Sequence, residues 1–186
     1  TLMTQANNLE VFLIADPSSL LTTLGENTYI GSYVPHNLVL MSDIHRLKYA
    51  MYLNNDAYQA LKKMIDAMPE GIANDFYIKE AYTSFNDFQY SNASLAGKDE
   101  RQLGRTVSIA SKSIAYQEFE TSALSQWLEA NAHEYGFILR YPKRMASSTN
   151  HVYDAHYYRY VGKKIANKIY KENSCIEEYN QKEAAE

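Results

Sequence analysis

Short apolar segments with two different spacings constrain the fold of this 186-residue chain most strongly. From Asn54 to Met68, apolar residues recur at helical spacing after a polar start that suits helix capping, and Pro69-Glu70-Gly71 ends the run. Residues 76–82 alternate between apolar and polar side chains, as a half-buried strand does. We therefore expect a core-packed helix followed by a strand.

The rest of the chain supplies further short elements. Strands are predicted at residues 11–15, 106–110, 137–141 and 157–161. Helices are predicted to begin near Phe85, to run from the Thr121-Ser122 cap to about His133, and to run from Val161 through Ile169 into a frayed C-terminus. Because helices and strands mix without regular alternation, the sequence predicts the α+β class with a small sheet.

Charge and hydropathy argue against two classes of protein, nucleic-acid-binding and membrane-spanning. The chain has 18 Lys and Arg against 22 Asp and Glu, and this mildly acidic balance argues against a nucleic-acid-binding protein. The most apolar run, residues 11–15, stops at Asp16-Pro17, well short of the roughly 20 residues of a membrane span. Because the chain opens at Thr1 without a signal-like segment, we expect a mature or trimmed form.

Cysteine and histidine give weak indications of chemistry. The single cysteine, Cys175, excludes a disulfide framework, and we expect it to lie on the terminal helix among charged residues as a poor nucleophile. No two of the five histidines have the i, i+4 spacing of a zinc-binding helix. His151, Asp154 and His156 are close enough in sequence to hold a metal together. The alternative is that they are solvated side chains of a polar loop.

Aromatic residues near the C-terminal strand allow two interpretations. Tyr157, Tyr158 and Tyr160 would alternate between the core and the surface on a strand, or they would line a groove together with Tyr153. Trp127 recurs at helical spacing with apolar neighbours and is expected in the core.

Residues 127–142 resemble the signature segment of the VanY-type D-alanyl-D-alanine carboxypeptidases. Residues 154–162 stand where that family carries Glu-Pro-Trp-His-x-Arg-Tyr-Val-Gly. Upstream, residues 82–89 resemble the family's Gly-Tyr-Arg-Ser segment with its following Gln, and residues 100–109 resemble its Ser-Glu-His-x-x-Gly-x-x-x-Asp-Ile segment. The resemblance implies a small antiparallel sheet flanked by helices.

The same resemblance implies domain limits and a cellular setting. A VanY-type domain is expected at residues 33–172, between an unassigned extension at 1–32 and a tail at 173–186. Members of the family are zinc peptidases of the bacterial cell envelope that remove the terminal D-Ala from peptidoglycan stem peptides. Zinc is held by two His and one Asp, a Glu acts as general base, and an Arg steadies the oxyanion.

This sequence departs from the family at nearly all of those positions. The zinc-ligand positions carry Arg101, Ser108 and Tyr157, the base position carries Asp154, and the Arg position carries Thr83. A guanidinium has five N–H donors and no acceptor, so Arg101 cannot bind a metal. We expect no zinc cofactor, and no carboxypeptidase activity of the family type.

These substitutions leave several functions open. The expected one is a catalytically inactive module that binds a peptidoglycan stem peptide or an envelope protein through Gln89, Arg101, Ser108, Asp154 and Tyr157. Arg101 would then pair with Asp154 or bind a peptide carboxylate. The alternatives are a silent cleft filled by Tyr157, a purely structural partner, and an active metallo-carboxypeptidase with an altered metal site.

Overall fold

The computed structural model describes residues 11–186, so the first ten residues of the predicted N-terminal extension lie outside the described part. The strands are β1 (Phe12–Leu13), β2 (Thr28–Tyr29), β3 (Leu38–Leu40), β4 (Tyr52–Asn54), β5 (Phe76–Glu80), β6 (Thr106–Ser111), β7 (Phe137–Tyr141) and β8 (Asp154–Tyr160). The α-helices are α1 (Asn55–Asp66), α2 (Glu70–Asp75), α3 (Phe85–Ser91), α4 (Ala123–Asn131), α5 (Ala146–Thr149), α6 (Lys163–Lys171) and α7 (Ile176–Glu183). None of the helices described combines the length and apolar character that a membrane span requires.

Four of the strands form the central sheet, in the order β5-β6-β8-β7 with antiparallel neighbours throughout. Buried side chains of α1 and α4 pack with buried side chains of this sheet in one apolar core. Members of this core from the two layers include Leu61, Met64, Leu124, Leu128, Ile78, Val107, Ile109 and Tyr158. The predicted α+β class with a small antiparallel sheet is therefore confirmed.

The helix predicted after Asn54 forms where its local signals place it. The Asn54 side chain accepts a hydrogen bond from the backbone N–H of Asp56, which satisfies one free donor of the first turn. The apolar stripe of α1 faces the core, and Leu61 is fully buried. Burial of one such side chain contributes about 1.5–3 kcal/mol.

The C-terminal region differs from the single fraying helix predicted for it. The chain forms two helices, α6 and α7, because Asn173 takes a left-handed conformation with φ 48° and turns the backbone between them. Cys175 is buried and forms the N-cap of α7, next to Glu177 and Glu178 of its first turn, instead of lying within a terminal helix. Ile176 packs with Val161 in a second apolar cluster, which joins α7 to the domain.

Contacts also cross the predicted N-terminal boundary. The buried guanidinium of Arg159 on β8 donates hydrogen bonds to the carbonyl oxygens of Thr22 and Leu20, at 2.6 and 2.9 Å. The short strand β1 pairs with β2 in parallel, and Phe12 and Leu13 are exposed. The domain limits at residues 32 and 172 stay predictions, although packed contacts cross both of them.

Candidate functional site

Arg101 lies on a 3₁₀ turn, Glu100–Leu103, which Asp99 caps. The Asp99 carboxylate accepts hydrogen bonds from the Arg101 backbone N–H and from Nε and Nη2 of the guanidinium, each at 2.9 Å. Nη1 of Arg101 lies 3.1 Å from Glu80 Oε2. Burial lowers the pKa of Arg101, but the hydrogen bond and charge of Asp99 more than offset it and leave the pKa above its usual value. Arg101 is thus a fixed cation held by two carboxylates.

The register of the central sheet places Glu80, Ser108 and Tyr157 side by side on three neighbouring strands. Glu80 on β5 pairs with Ser108 on β6, and Ser108 pairs with Tyr157 on β8. The Tyr157 hydroxyl donates a 2.6 Å hydrogen bond to Glu80 Oε2, the oxygen that also faces Arg101. Burial raises the pKa of Tyr157 well above its usual value, against the opposing charge of Arg101. Tyr157 is therefore a neutral donor at neutral pH.

Ser108 and Asp154 have different surroundings from those predicted. Ser108 is fully buried, and its hydroxyl has no hydrogen-bond partner among the described residues. Asp154 begins β8, and its carboxylate accepts a 2.9 Å hydrogen bond from the backbone N–H of His156. The predicted ion pair between Arg101 and Asp154 is wrong, because Asp99 and Glu80 hold the guanidinium.

The alternative metal set of His151, Asp154 and His156 is not assembled. His156 is buried between the rings of Tyr116 and Phe119, with ring centroids 3.7 and 4.4 Å away. Its two ring nitrogens lie within hydrogen-bonding distance of backbone carbonyl oxygens, Nδ1 at 2.7 Å and Nε2 at 3.0 Å. Because neither nitrogen is turned toward His151, the sequence proximity does not produce a metal site.

The tyrosines of β8 alternate as a strand requires. Tyr158 is fully buried in the core and Tyr160, two residues on, packs against the same core, whereas Tyr157 between them lines an open cleft on the other face. The four rings therefore do not line one groove, and the alternating interpretation is the correct one. Trp127 packs half-buried against the core, as expected.

An open cleft of about 700 Å³ lies beside Arg101, and Tyr157 forms part of its wall without filling it. The imidazole of His151 stacks on Tyr141 at 3.8 Å on the same wall. Thr106 also lines the cleft, is buried, and has a hydroxyl without a hydrogen-bond partner among the described residues. The silent-cleft alternative, in which Tyr157 fills the space, is thus wrong in its geometry.

Of two further predicted site residues, Thr83 lies next to Arg101 and Gln89 does not. Thr83 lines a neighbouring cavity that also touches Arg101, and its backbone N–H donates to the Arg101 carbonyl at 3.4 Å. Gln89 is exposed on α3 and lines neither cavity, so its predicted place in the site is wrong. The residue that faces Arg101 is Phe88, whose ring centre lies 5.1 Å from the guanidinium carbon.

A buried ion network anchors the turn that carries Arg101. The carboxylate of Glu100 bonds Arg140 through both oxygens at 2.8 and 2.9 Å, and Nη1 of Arg159 lies 2.9 Å from Glu100 Oε2. Burial alone would raise the pKa of Glu100, but the two arginines overcome that effect and lower the pKa to about 2. Arg140 also pairs with Glu177 on α7. The turn is therefore tied to β7, β8 and the C-terminal helix.

Comparison with known proteins finds relatives in one family. A family model described as VanY, D-alanyl-D-alanine carboxypeptidase, matches residues 86–163. YodJ of Bacillus subtilis (strain 168), named as a carboxypeptidase, is 29% identical over 192 residues, which cover 91% of this chain and 70% of YodJ. A D-alanyl-D-alanine carboxypeptidase of Enterococcus faecalis (strain ATCC 700802 / V583) is 34% identical over 124 residues, which cover 66% of this chain and 44% of that protein. These matches support a member of the VanY-type family.

Solved structures agree with the VanY-type fold. The LdcB LD-carboxypeptidase has a TM-score of 0.77 and 26% identity, with 92% of this chain and 90% of LdcB covered. VanYB has a TM-score of 0.68 and 23% identity, with 87% of this chain and 97% of VanYB covered, and supports the fold alone. The chain spans less than half the length of its enterococcal relative.

The donor set of this VanY-type chain does not fit the zinc ion that the family uses. Zinc binds thiolate, neutral imidazole or carboxylate donors. The positions that the sequence resemblance assigns to the zinc ligands carry the guanidinium of Arg101, the hydroxyl of Ser108 and the neutral phenol of Tyr157. Across residues 11–186, no group of three or more His, Cys, Asp or Glu side chains is arranged to hold a metal ion.

Neither Asp99 nor Glu80 is among the site residues predicted from the sequence. Asp99 has a local signal, because an aspartate before a short turn commonly caps it. Glu80 has none, since it reaches Arg101 through pairing between strands that lie far apart in sequence.

Proposed function

We propose that this VanY-type chain is catalytically inactive as a zinc peptidase and binds peptidoglycan stem peptides in its open cleft. The observation that carries the first part is the ion-paired guanidinium of Arg101 at the first ligand position, held by Asp99 and Glu80. A permanent cation there repels a divalent ion and has no lone pair to offer it.

Loss of the metal removes the source of the nucleophile. Bound zinc lowers the pKa of water from about 15.7 to about 7, which supplies hydroxide near neutral pH. Asp154 would have to replace that effect alone, and one of its oxygens already accepts the His156 backbone N–H. A single carboxylate cannot lower the pKa of water by that amount, so we expect no D-Ala release.

Peptide binding is supported by the space and donors that remain. The cleft keeps a volume of about 700 Å³, and Thr106 contributes a buried hydroxyl without a described partner. Arg101 uses Nε, Nη1 and Nη2 toward Asp99 and Glu80, which leaves two of its five N–H groups for a peptide carboxylate. The LdcB structure concerns peptidoglycan recognition, and VanYB was solved with D-Ala-D-Ala.

The family resemblance supports a location and a partner for this proposal. A chain that binds stem peptides would act in the bacterial cell envelope, outside the membrane. The alternative partner is an envelope protein that binds in the same open cleft.

The test combines three measurements on the purified protein with a stem pentapeptide. We expect no stoichiometric zinc binding in a calorimetric titration, no D-Ala release, and a rise in melting temperature with peptide, because a ligand that binds only the folded state stabilises it. Arg101→Gln should abolish the rise, whereas Arg144→Gln, at an exposed residue outside the cleft, should keep it.

A restored site serves as the positive control. The triple variant Arg101→His, Ser108→Asp and Tyr157→His should bind one zinc ion if these positions correspond to the family's ligands. Zinc-dependent D-Ala release by the wild-type protein would refute the inactive assignment and favour a peptidase with an altered metal site. No release and no thermal shift would refute peptide binding.

A further inference from the structure

The cleft beside Arg101 has more acidic than basic side chains in its wall. The acidic and basic side chains that line it are Glu26, Asp99, Glu100, Asp154, Lys98 and Arg101. Asp99 pairs with Arg101, and Glu100 pairs with two arginines that do not line the cleft. Lys98 donates a 3.0 Å hydrogen bond to the backbone carbonyl oxygen of Glu26. The carboxylates of Glu26 and Asp154 are therefore left without an ion-pair partner among residues 11–186.

Asp154 is the more enclosed of these two residues. It is half-buried, whereas Glu26 is exposed. Strict alternation along β8 would put Asp154 and Tyr157 on opposite faces, but the register of β7 and β8 is irregular near Asp154, and both residues line the cleft. Asp154 pairs with Tyr141 across the two strands, and the ring centroids of Tyr141 and Tyr157 lie 6.1 Å apart. The carboxylate thus shares this wall with two aromatic rings.

One oxygen of the Asp154 carboxylate is available to a ligand. Oδ1 accepts the 2.9 Å hydrogen bond from the backbone N–H of His156, which holds the carboxylate at the start of β8. Oδ2 accepts no hydrogen bond from residues 11–186, and it is not closed off from solvent. Arg101 does not compensate this charge, because Asp99 and Glu80 hold its guanidinium. A ligand group with N–H donors and a positive charge is the strongest partner for such an oxygen.

We propose that Asp154 binds an ammonium group of the ligand, so that the cleft selects stem peptides with a basic side chain. The inference rests on the peptide binding proposed above and adds its specificity. The peptide carboxylate lies at Arg101, and the ammonium group lies at Asp154 Oδ2. The faces of Tyr141 and Tyr157 add to the attraction, since aromatic faces attract cations within about 6 Å.

Two N-acetylated stem pentapeptides that differ only at the third residue test this subsite in calorimetric titrations. One carries lysine, and the other carries norleucine, which lacks only the side-chain ammonium group. We expect the lysine peptide to bind about three- to thirtyfold more tightly at low salt. The ratio of the two affinities should fall as NaCl is raised from about 0.02 to about 0.5 M, because salt screens the ion pair.

Three variants locate the charge that produces this ratio. Asp154→Asn should bring the ratio to about one, and the amide Oδ1 can still accept the His156 N–H, so the start of β8 is kept. Asp66→Asn, at an exposed residue of α1 outside the cleft, should keep the wild-type ratio. Glu26→Gln, at an exposed residue of the same cleft, should change the ratio by less than about twofold, because exposed charges interact weakly.

The outcomes separate this subsite from peptide binding itself. Equal affinities of the wild-type protein for the two peptides would overturn the subsite and leave peptide binding intact. A ratio that survives Asp154→Asn, or that disappears in Glu26→Gln, would also overturn it. If neither peptide binds, the proposed function fails and the subsite fails with it.

Discussion

The buried ion network offers a quantitative test through Glu100→Gln. The carboxylate accepts hydrogen bonds from the backbone N–H of Leu24 and from Arg140, and it is ion-paired with Arg159. The substitution removes the charge and turns an amide N–H₂ group toward buried donors. Glu177 remains to pair with Arg140, whereas Arg159 loses its carboxylate partner among the described residues. Breaking a buried pair from one side costs about 3–5 kcal/mol.

That cost is a large share of the total stability of a domain of this size. At about 2–4 °C per kcal/mol, the melting temperature should fall by about 6–20 °C. Glu183→Gln is the matched control, because Glu183 forms an exposed ion pair with Lys168 and should cost about 1 kcal/mol or less. Urea denaturation at pH 7 gives the free energy of unfolding of each variant. If both variants lose the same small free energy, the network does not anchor the turn.

Glu100 also makes the stability of the folded protein depend on pH in a definite direction. The pKa of Glu100 is about 2 in the folded protein against 4.5 when unfolded, so its stabilisation is complete above pH 4.5 and is lost as the pH falls toward 2. The difference corresponds to about 3 kcal/mol. The free energy of unfolding of the wild-type protein should therefore fall more steeply than that of Glu100→Gln between pH 5 and 3. Parallel curves would contradict the lowered pKa.

Three further substitutions test the packing, each by urea denaturation. Asn54→Ala removes the cap of α1 and should cost about 1 kcal/mol, and an unchanged midpoint would contradict the cap. Leu61→Ala should cost about 2–5 kcal/mol because the side chain is fully buried. Gly136→Ala should cost about 1–3 kcal/mol, since φ is 90° and a Cβ would lie 2.8 Å from Tyr160 Cε2; a neutral effect would refute the close contact.

Local signals predicted much of the fold. The helix after Asn54 has a capping residue at its start and a stop signal just after its end, both readable from the local sequence. The alternation of β8 places His156 and Tyr157 on opposite faces. The C-terminal break was not predicted, because one asparagine at a positive φ, Asn173, interrupts an otherwise helical pattern.

The candidate site was predicted less completely. Arg101 and Tyr157 do come together in the structure, but Glu80 joins them only through the pairing of β5, β6 and β8. Gln89 was placed in the site although Phe88 faces Arg101, because adjacent helix positions point about 100° apart. Partners brought together by sheet register are not readable from local sequence.

Anomalous X-ray scattering from zinc-soaked crystals tests the absence of the family's metal site most directly. We predict no zinc peak among residues 101, 108 and 157, with the guanidinium of Arg101 still bound to Asp99 and Glu80. A peak at full occupancy within coordination distance of those three side chains would contradict the account.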